Sequence, residues 1–189
     1  KRYKIDNLTI AGGCGMNSVA NGKVLLKTPF KKIYVQAAAG DAGGAIGAAL
    51  TTWHRFGGKM AKHRSIPHNH AYFGPSFQDS YIKSLLNSQK KRISNENCVI
   101  ENYSNFSEIT QKTAAEIAKG KVIGWFQGRM EWGPRALGNR SILCDPRRSD
   151  IKDILNSKIK RRESFRPFAP SILREKVSEW FEQDDDVPF

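Results

Sequence analysis

Residues 124–146 read GWFQGRMEWGPRALGNRSILCDP, and residues 161–170, after a short predicted helix, read RRESFRPFAP. Between positions 128 and 166 there are eleven Lys or Arg residues against five Asp or Glu residues. Glycine, proline, asparagine and serine surround the arginines, which is typical of loops rather than of a helix face. Planar guanidinium groups on loops can hold an anion through paired hydrogen bonds. The arginines are Arg129, Arg135, Arg140 and Arg166.

The segment between Gln127 and Ser141 is predicted to turn sharply at its glycines and at Pro134. Successive turns can aim several backbone N–H groups at one point and so create a nest for phosphate or carboxylate. Apolar runs flank the segment, VIGWF at 122–126 and SILC at 141–144, and both predict short buried strands. We therefore expect a loop at the ends of two strands, where α/β proteins commonly bind ligands.

A simpler interpretation is a basic surface loop whose arginines pair with Glu131 and Asp145. Composition alone does not separate this interpretation from a binding pocket. The aromatic residues Trp132, Phe165 and Phe168 lie beside the arginines in sequence, where they can stack on guanidinium groups or cover a small substrate. The aromatic neighbours therefore favour one pocket that contains all four arginines.

The N-terminal part of the chain predicts strands and helices joined by glycine turns. A strand at 8–11 leads through Gly12 and Gly13 to a helix ending near residue 26, and a strand at 33–35 precedes a helix from 42 to about 56. A strand, a glycine turn and a helix start are an arrangement that often binds phosphate or nucleotide. This turn, however, matches neither the GxGxxG fingerprint nor the P-loop. Asp41 is predicted to cap the second helix, and the alternative is metal or phosphate chemistry.

Further along, Lys90 to Arg92 predict a solvated turn, and Cys98 to Ile100 predict a short strand. Helices are predicted at 109–119, ended by Gly120, and at 150–159.

The chain has 189 residues and a formal net charge of +13, which suits an anionic partner, either nucleic acid or a phosphorylated small molecule. No apolar run reaches the length of a membrane span, so no membrane partner is expected. The three cysteines form no CxxC pair and indicate reduced thiols, which agrees with a cytoplasmic location. The first residue is Lys1, and we expect the chain to be a fragment of a longer protein.

GWFQGRMEWGPRALGNRSIL followed by RRESFRPFAPSIL resembles the C-terminal region of the bacterial O-carbamoyltransferases, which include nodulation and antibiotic carbamoyltransferases. The runs GGCGMN, VANGKVL and AAAGDAGGAIGAAL resemble the last part of the same family's N-terminal domain. The resemblance implies an α/β (α+β) protein in two parts. Residues 1–66 would complete an actin-like ATPase-fold domain, and residues 67–189 would form a domain similar to threonylcarbamoyl-adenylate synthase.

The resemblance also implies a reaction and its residues. ATP and carbamoyl phosphate give carbamoyl-adenylate, and the carbamoyl group passes to a hydroxyl of a small molecule or glycan. Arg135 and Arg166 are predicted to contact carbamoyl phosphate or the adenylate, with Arg129 and Arg140 assisting. The remaining predicted residues are Asn139, Ser141 and Ser164 for hydrogen bonds to substrate, Gly12, Gly13 and Asn17 for nucleotide, and Asp41 for metal.

In the family, two histidines spaced HxxxH join the aspartate on a divalent metal, Mg or Fe, and they precede the matched segment. We therefore expect the 189 residues of this chain alone to lack the complete carbamoyltransferase activity. The expected enzyme class is that of the transferases of one-carbon groups. The sequence leaves open whether the protein forms a homodimer. The alternative function is a basic RNA-binding or tRNA-modification module. The net charge and the aromatic residues among the arginines favour it. The concentration of arginines in stiff loops, however, disfavours nucleic acid as a partner.

Overall fold

The computed structural model describes residues 4–59 and 70–182, and the predicted domain boundary between residues 66 and 67 lies outside them. The described chain is mixed α and β with small sheets, which confirms the predicted class. It divides into two compact units. Unit 1 contains residues 4–59, 70–76 and 127–139, and unit 2 contains residues 77–126 and 140–182. The actin-like and synthase-like assignments stay predictions.

Unit 1 begins with a strand–helix–strand arrangement. Strand β1 (Asn7–Ile10) leads through a 3₁₀ turn (Gly13–Met16) to helix α1 (Ser18–Lys27), and strand β2 (Lys32–Val35) follows. The two strands are parallel, so the chain needs a crossover between them, and α1 provides it. Helix α2 (Asp41–Arg55) comes next. These elements agree with the predicted ones to within one or two residues.

The register of this small sheet places Leu8 opposite Ile33 and Ile10 opposite Val35. After β2 the chain turns through Ala38 and Ala39, which are buried. Gly15 is also buried, and a Cβ atom added there would lie 3.1 Å from the Cγ2 atom of Ile10 and 3.4 Å from the Cβ atom of Ala39. Small residues therefore let the two glycine-containing turns of unit 1 pack closely.

Asp41 does not occupy the predicted N-cap of α2. Gly40 is the N-cap residue, and Asp41 is the first residue of the helix and is exposed. The prediction was wrong by one position. An acidic residue in the first turn still interacts favourably with the positive end of the helix dipole.

Unit 2 begins with three helices, which an antiparallel strand pair follows. The helices are α3 (Asp79–Ser88), α4 (Lys90–Asn95) and α5 (Phe106–Ala118). Strand β3 (Ile123–Phe126) pairs with strand β4 (Arg140–Leu143). The chain between these strands, residues 127–139, belongs to unit 1.

Three local predictions for unit 2 were wrong. Lys90 to Arg92 open α4 rather than forming a turn, and Cys98 to Ile100 form no strand. The two strands of the β3–β4 pair are also less buried than predicted, because Phe126 is 54% exposed. Helix α5 does end before Gly120, whose φ of 84° lies in the region that favours glycine.

The last described part of unit 2 is helical but irregular. Helix α6 (Ile151–Ile154) continues directly into a π-helical segment (Leu155–Lys160), and a 3₁₀ turn (Arg174–Lys176) leads into α7 (Val177–Trp180). Ile151 and Leu155 are buried. Across residues 4–59 and 70–182, no helix combines the length and the apolar character that crossing a bilayer requires.

Candidate anion-binding site

The arginine loop, residues 127–139, is closed by the buried carboxylate of Glu131. This side chain is 3% exposed, and its Oε1 atom accepts the backbone N–H groups of Leu137 and Asn139, both at 2.7 Å. A charged acceptor makes stronger hydrogen bonds than a neutral one. The carboxylate therefore ties the end of the loop to its beginning, and Arg135 lies on the turn between these points.

The base of the arginine loop is fixed by Asn139. Its backbone oxygen accepts the Gln127 N–H at 3.1 Å, and its Oδ1 atom accepts the Gln127 Nε2 group at 3.2 Å. Its Nδ2 group donates to the Arg129 carbonyl at 2.7 Å. The Asn139 side chain thus holds the loop together, and the predicted hydrogen bond from Asn139 to substrate stays a prediction.

The first half of the loop is bonded to residues 71–74 of the same unit. The Trp132 N–H donates to the Ala71 carbonyl at 2.7 Å, and the Gly74 N–H donates to the Met130 carbonyl at 2.9 Å. The guanidinium of Arg129 also donates, through Nη1, to the Gly74 carbonyl at 3.0 Å. Arg129 is therefore held by the unit's backbone.

The second contact surface of the loop is formed by the first turn of α2 and the residues just before that helix. The Trp132 indole Nε1–H donates to the Ala42 carbonyl at 2.7 Å. A Cβ atom added to Gly133 would lie 2.6 Å from the Cβ atom of Ala38, and the φ of Gly133 is 111°. Only glycine allows this close approach without strain. The arginine loop therefore packs beside the N-terminal end of α2, where Asp41 lies.

The predicted nucleotide-binding turn packs against the same chain segment. The Gly12 N–H donates to the Ala39 carbonyl at 2.6 Å, and a Cβ atom added to Gly40 would lie 3.9 Å from the Cα atom of Gly13. Asn17 has a local role, because its Oδ1 atom accepts the Ala20 N–H at 3.1 Å and caps α1. Unit 1 thus brings together Gly12, Gly13, Asp41 and the arginine loop.

Arg140 and Ser141 belong to unit 2 as the first two residues of β4. Arg140 pairs with Phe126 and Ser141 pairs with Trp125 across the strand register. The prediction that Arg140 lies on a loop was wrong, because the pairing with β3 already begins at this residue.

Arg166 and Ser164 lie on an irregular segment of unit 2, residues 161–168, which we call the Arg166 segment. The Nε–H group of Arg166 donates to Glu163 Oε2 at 2.8 Å, and both side chains are about half exposed. An exposed ion pair of this kind contributes little to stability. The Ser164 carbonyl accepts a hydrogen bond of 3.1 Å from Asn156, a completely buried residue.

Asp145 lies two residues after the end of β4 and is 6% exposed. Arg147 donates from its backbone N–H and its guanidinium to this carboxylate at 2.7 to 3.1 Å, and these hydrogen bonds lower the pKa of Asp145 to about 2. Burial raises the pKa of the neighbouring Cys144 thiol. Cys144 therefore remains a thiol at neutral pH and is a poor nucleophile.

Within the described ranges, no group of three His, Cys, Asp or Glu side chains is arranged to hold a metal ion. Asp41 offers an exposed carboxylate, a ligand type that suits Mg²⁺ or iron. The metal assignment of Asp41 stays a prediction.

The four arginines are divided between the two units. Arg129 and Arg135 belong to unit 1, and Arg140 and Arg166 belong to unit 2. Sequence reasoning assigned no role in the site to two buried polar residues that hold the arginine-bearing segments, Glu131 and Asn156. A signal for Glu131 is its position as the single carboxylate of the arginine loop, whereas Asn156 lies in an ordinary helical pattern.

Comparison with known proteins identifies matches at both ends of the chain. A family model described as the carbamoyltransferase N-terminus matches residues 1–50, and one described as the carbamoyltransferase C-terminus matches residues 114–189. An uncharacterized protein of Synechocystis sp. is 46% identical over 189 residues, which cover 98% of this chain and 29% of the relative.

Two named relatives are nodulation proteins. Nodulation protein NolNO of Sinorhizobium fredii is 43% identical over 96% of this chain and 25% of its own length. Nodulation protein NolO of Bradyrhizobium diazoefficiens is 44% identical over 98% of this chain and 32% of its own length. The chain thus spans about a quarter to a third of these relatives. Because both family models match in their expected order, this chain belongs to the carbamoyltransferase family.

Proposed function

We propose that this chain is part of an enzyme that carbamoylates a hydroxyl group and uses ATP and carbamoyl phosphate as co-substrates. One ATP, one carbamoyl phosphate and one water give carbamoyl-adenylate, pyrophosphate and phosphate. The acceptor hydroxyl oxygen then attacks the carbamoyl carbon, AMP leaves, and the hydroxyl proton passes to solvent. Membership of the carbamoyltransferase family supports the transfer of a carbamoyl group.

The observation that carries this proposal is the attachment of the arginine loop to the first turn of α2 and to the residues just before it. Trp132 and Gly133 hold the loop beside a helix N-terminus, while the Glu131 carboxylate closes it. A helix N-terminus and nearby guanidinium groups both favour negative charge. A phosphorylated reactant is the ligand class that such an arrangement suits.

Each arginine neutralises charge on reactants that carry several negative charges. Arg135 and Arg166 contact carbamoyl phosphate or the adenylate, and Arg129 and Arg140 assist them. Fixed positive groups of this kind stabilise the charge that develops in the transition state and orient both reactants. Neutral hydrogen bonds come from Asn139, Ser141 and Ser164.

Unit 1 holds the nucleotide in this proposal. Gly12 and Gly13 contact ATP, and Asn17 supports the turn by capping α1. A divalent metal, Mg²⁺ or iron, held in part by Asp41 would neutralise phosphate charge.

The test uses the full-length protein, ATP and carbamoyl phosphate, without an acceptor. Formation of carbamoyl-adenylate is followed by mass spectrometry, and release of pyrophosphate by a coupled assay. Arg135→Ala and Arg166→Ala are each expected to lower the rate by at least about 100-fold, the usual effect of removing a donor that stabilises transition-state charge. Arg92→Ala is the control, because Arg92 is exposed on α4 and pairs with Glu96. Unchanged rates in both Arg135→Ala and Arg166→Ala would contradict the residue assignment.

The acceptor is proposed to be a hydroxyl-bearing small molecule or glycan, and the reaction to take place in the cytoplasm. Because the chain spans about a quarter to a third of its relatives, the rest of the protein is proposed to recognise the acceptor. The isolated chain is therefore expected to lack the complete reaction, whereas the full-length protein performs it.

The alternative, nucleic-acid binding, is favoured by the net charge of +13 and by the aromatic residues that lie among the arginines. Filter binding of labelled RNA to the full-length protein at several salt concentrations separates the two functions. We expect weak binding at physiological salt, and tight binding with a steep salt dependence would favour the alternative.

A further inference from the structure

Asn156 is a completely buried polar residue in the π-helical segment of unit 2. A buried amide without hydrogen-bond partners would destabilise the fold, so each of its polar atoms needs a partner. Short π-helical segments are frequently found near functional sites. The partners of Asn156 show which part of the chain this residue organises.

Both ends of the Asn156 amide bind the Arg166 segment. Its Nδ2 group donates to the carbonyl oxygens of Ser164, at 3.1 Å, and Arg166, at 3.0 Å. Its Oδ1 atom accepts the Nε–H of Arg162 at 2.7 Å, and its backbone oxygen accepts the Arg162 N–H at 2.9 Å. One side chain thus fixes three positions of a segment that has no regular secondary structure of its own.

Arg162 extends this arrangement to the far end of the segment. Its guanidinium carbon lies 4.7 Å from the centroid of the Phe168 ring, a distance at which the cation and the ring attract each other. At the near end, Arg161 has a φ of 48° and turns the chain out of the π-helical segment. Residues 161–168 therefore fold around the Asn156 amide.

We infer that Asn156 is a positioning residue for the anionic carbamoyl donor: it holds the backbone that carries the Ser164 and Arg166 side chains. This inference rests on the proposed function. Ser164 and Arg166 are exposed, and the Arg166 side chain is held within the unit by a half-exposed pair with Glu163. Because the backbone of Ser164 and Arg166 is already fixed, less conformational entropy is lost when the donor binds.

The decisive variant is Asn156→Asp in the full-length protein. The carboxylate keeps the shape of the side chain and the acceptor for Arg162, but it replaces the Nδ2 group, and with it both donated hydrogen bonds, with one oxygen that faces the carbonyl oxygens of Ser164 and Arg166. We expect the KM for carbamoyl phosphate to rise at least about tenfold, since a buried group left without its partner is strongly unfavourable. The KM for ATP is expected to stay within about twofold, because the residues predicted to bind nucleotide belong to unit 1.

The matched control is Asn87→Asp, because Asn87 is exposed on α3 of the same unit. It is expected to leave both KM values unchanged. A second variant, Asn156→Ser, guards against loss of folding, since its hydroxyl can restore one of the two donated hydrogen bonds. It should give a smaller increase in the KM for carbamoyl phosphate, and circular dichroism checks that each variant is folded.

The outcomes separate this inference from the function on which it rests. If the wild-type protein forms no carbamoyl-adenylate, the proposed function fails. If the wild type is active and the folded Asn156 variants show an unchanged KM for carbamoyl phosphate, Asn156 is only structural and the inference is wrong. Equal increases in both KM values would also overturn it.

Discussion

The indole N–H of Trp132 donates a hydrogen bond of 2.7 Å to the carbonyl of Ala42, which lies 90 residues earlier in the chain. This bond joins the arginine loop to the first turn of α2. The neighbouring residue, Gly133, brings the two backbones close together at Ala38. A hydrogen bond and a close backbone contact therefore anchor the loop, and both can be tested separately.

Trp132→Phe is expected to lower the free energy of unfolding by about 1 kcal/mol, because it removes one hydrogen bond and keeps a smaller aromatic ring at this position. Urea denaturation of the full-length protein measures this effect. Trp53→Phe is the control, since Trp53 is 56% exposed on α2. Equal destabilisation by the two variants would show that the indole N–H has no special role.

Gly133→Ala is expected to destabilise the protein by about 1–3 kcal/mol, because the positive φ of 111° is strained for alanine. The added methyl group would also clash with the Ala38 side chain and displace the arginine loop. The change should therefore lower carbamoyl-adenylate formation as well as the melting temperature.

Gly22→Ala serves as the control for Gly133→Ala. Gly22 lies in α1, and a Cβ atom added there meets nothing within 4 Å in the part of the chain that the structure describes. Alanine should stabilise this helix by up to about 1 kcal/mol. If Gly133→Ala is equally harmless, the close approach to Ala38 is not required.

Glu131→Ala is expected to cost about 2–4 kcal/mol, since the N–H groups of Leu137 and Asn139 would lose their acceptor. Glu131→Gln keeps an amide oxygen at this position and should retain part of that stability. Hydrogen exchange at the amides of Leu137 and Asn139 reports the loss directly. Unchanged protection of both amides in the alanine variant would rule out the proposed closure of the loop.

The ion pair between Asp145 and Arg147 predicts a pH dependence of stability. The hydrogen bonds from Arg147 lower the pKa of Asp145 to about 2, whereas a carboxyl of this type titrates near 3.9 in an unfolded chain. A folded-state pKa below the unfolded value stabilises the protein above about pH 4. This contribution is lost as the pH falls from about 4 to about 2.

Urea denaturation between pH 2 and 6 tests this contribution. The free energy of unfolding should fall less steeply below about pH 4 in Asp145→Asn than in the wild type. Arg147→Ala should also flatten the dependence, because it removes the same hydrogen bonds. Slopes equal to that of the wild type in both variants would contradict the assignment.

Much of the local structure was predictable from the sequence because it depends on neighbouring residues. The apolar runs on either side of the arginine loop correctly predicted strands β3 and β4. Gly120 likewise marked the end of α5, since glycine adopts the positive φ at this position more readily than other residues. The predicted strand at Cys98 to Ile100 failed because a short β-prone run needs a partner strand, and the described chain supplies none for it.

The sequence by itself determined the family, the strands and helices of unit 1, and the concentration of arginines between residues 129 and 166. These properties follow from residue order, local turn preferences and apolar patterning. Only the tertiary structure decided that Trp132 binds Ala42, that Glu131 closes the arginine loop, and that Asn156 holds the Arg166 segment. Such contacts depend on which buried donors and acceptors meet after the chain has folded, and the residue order does not reveal that pairing.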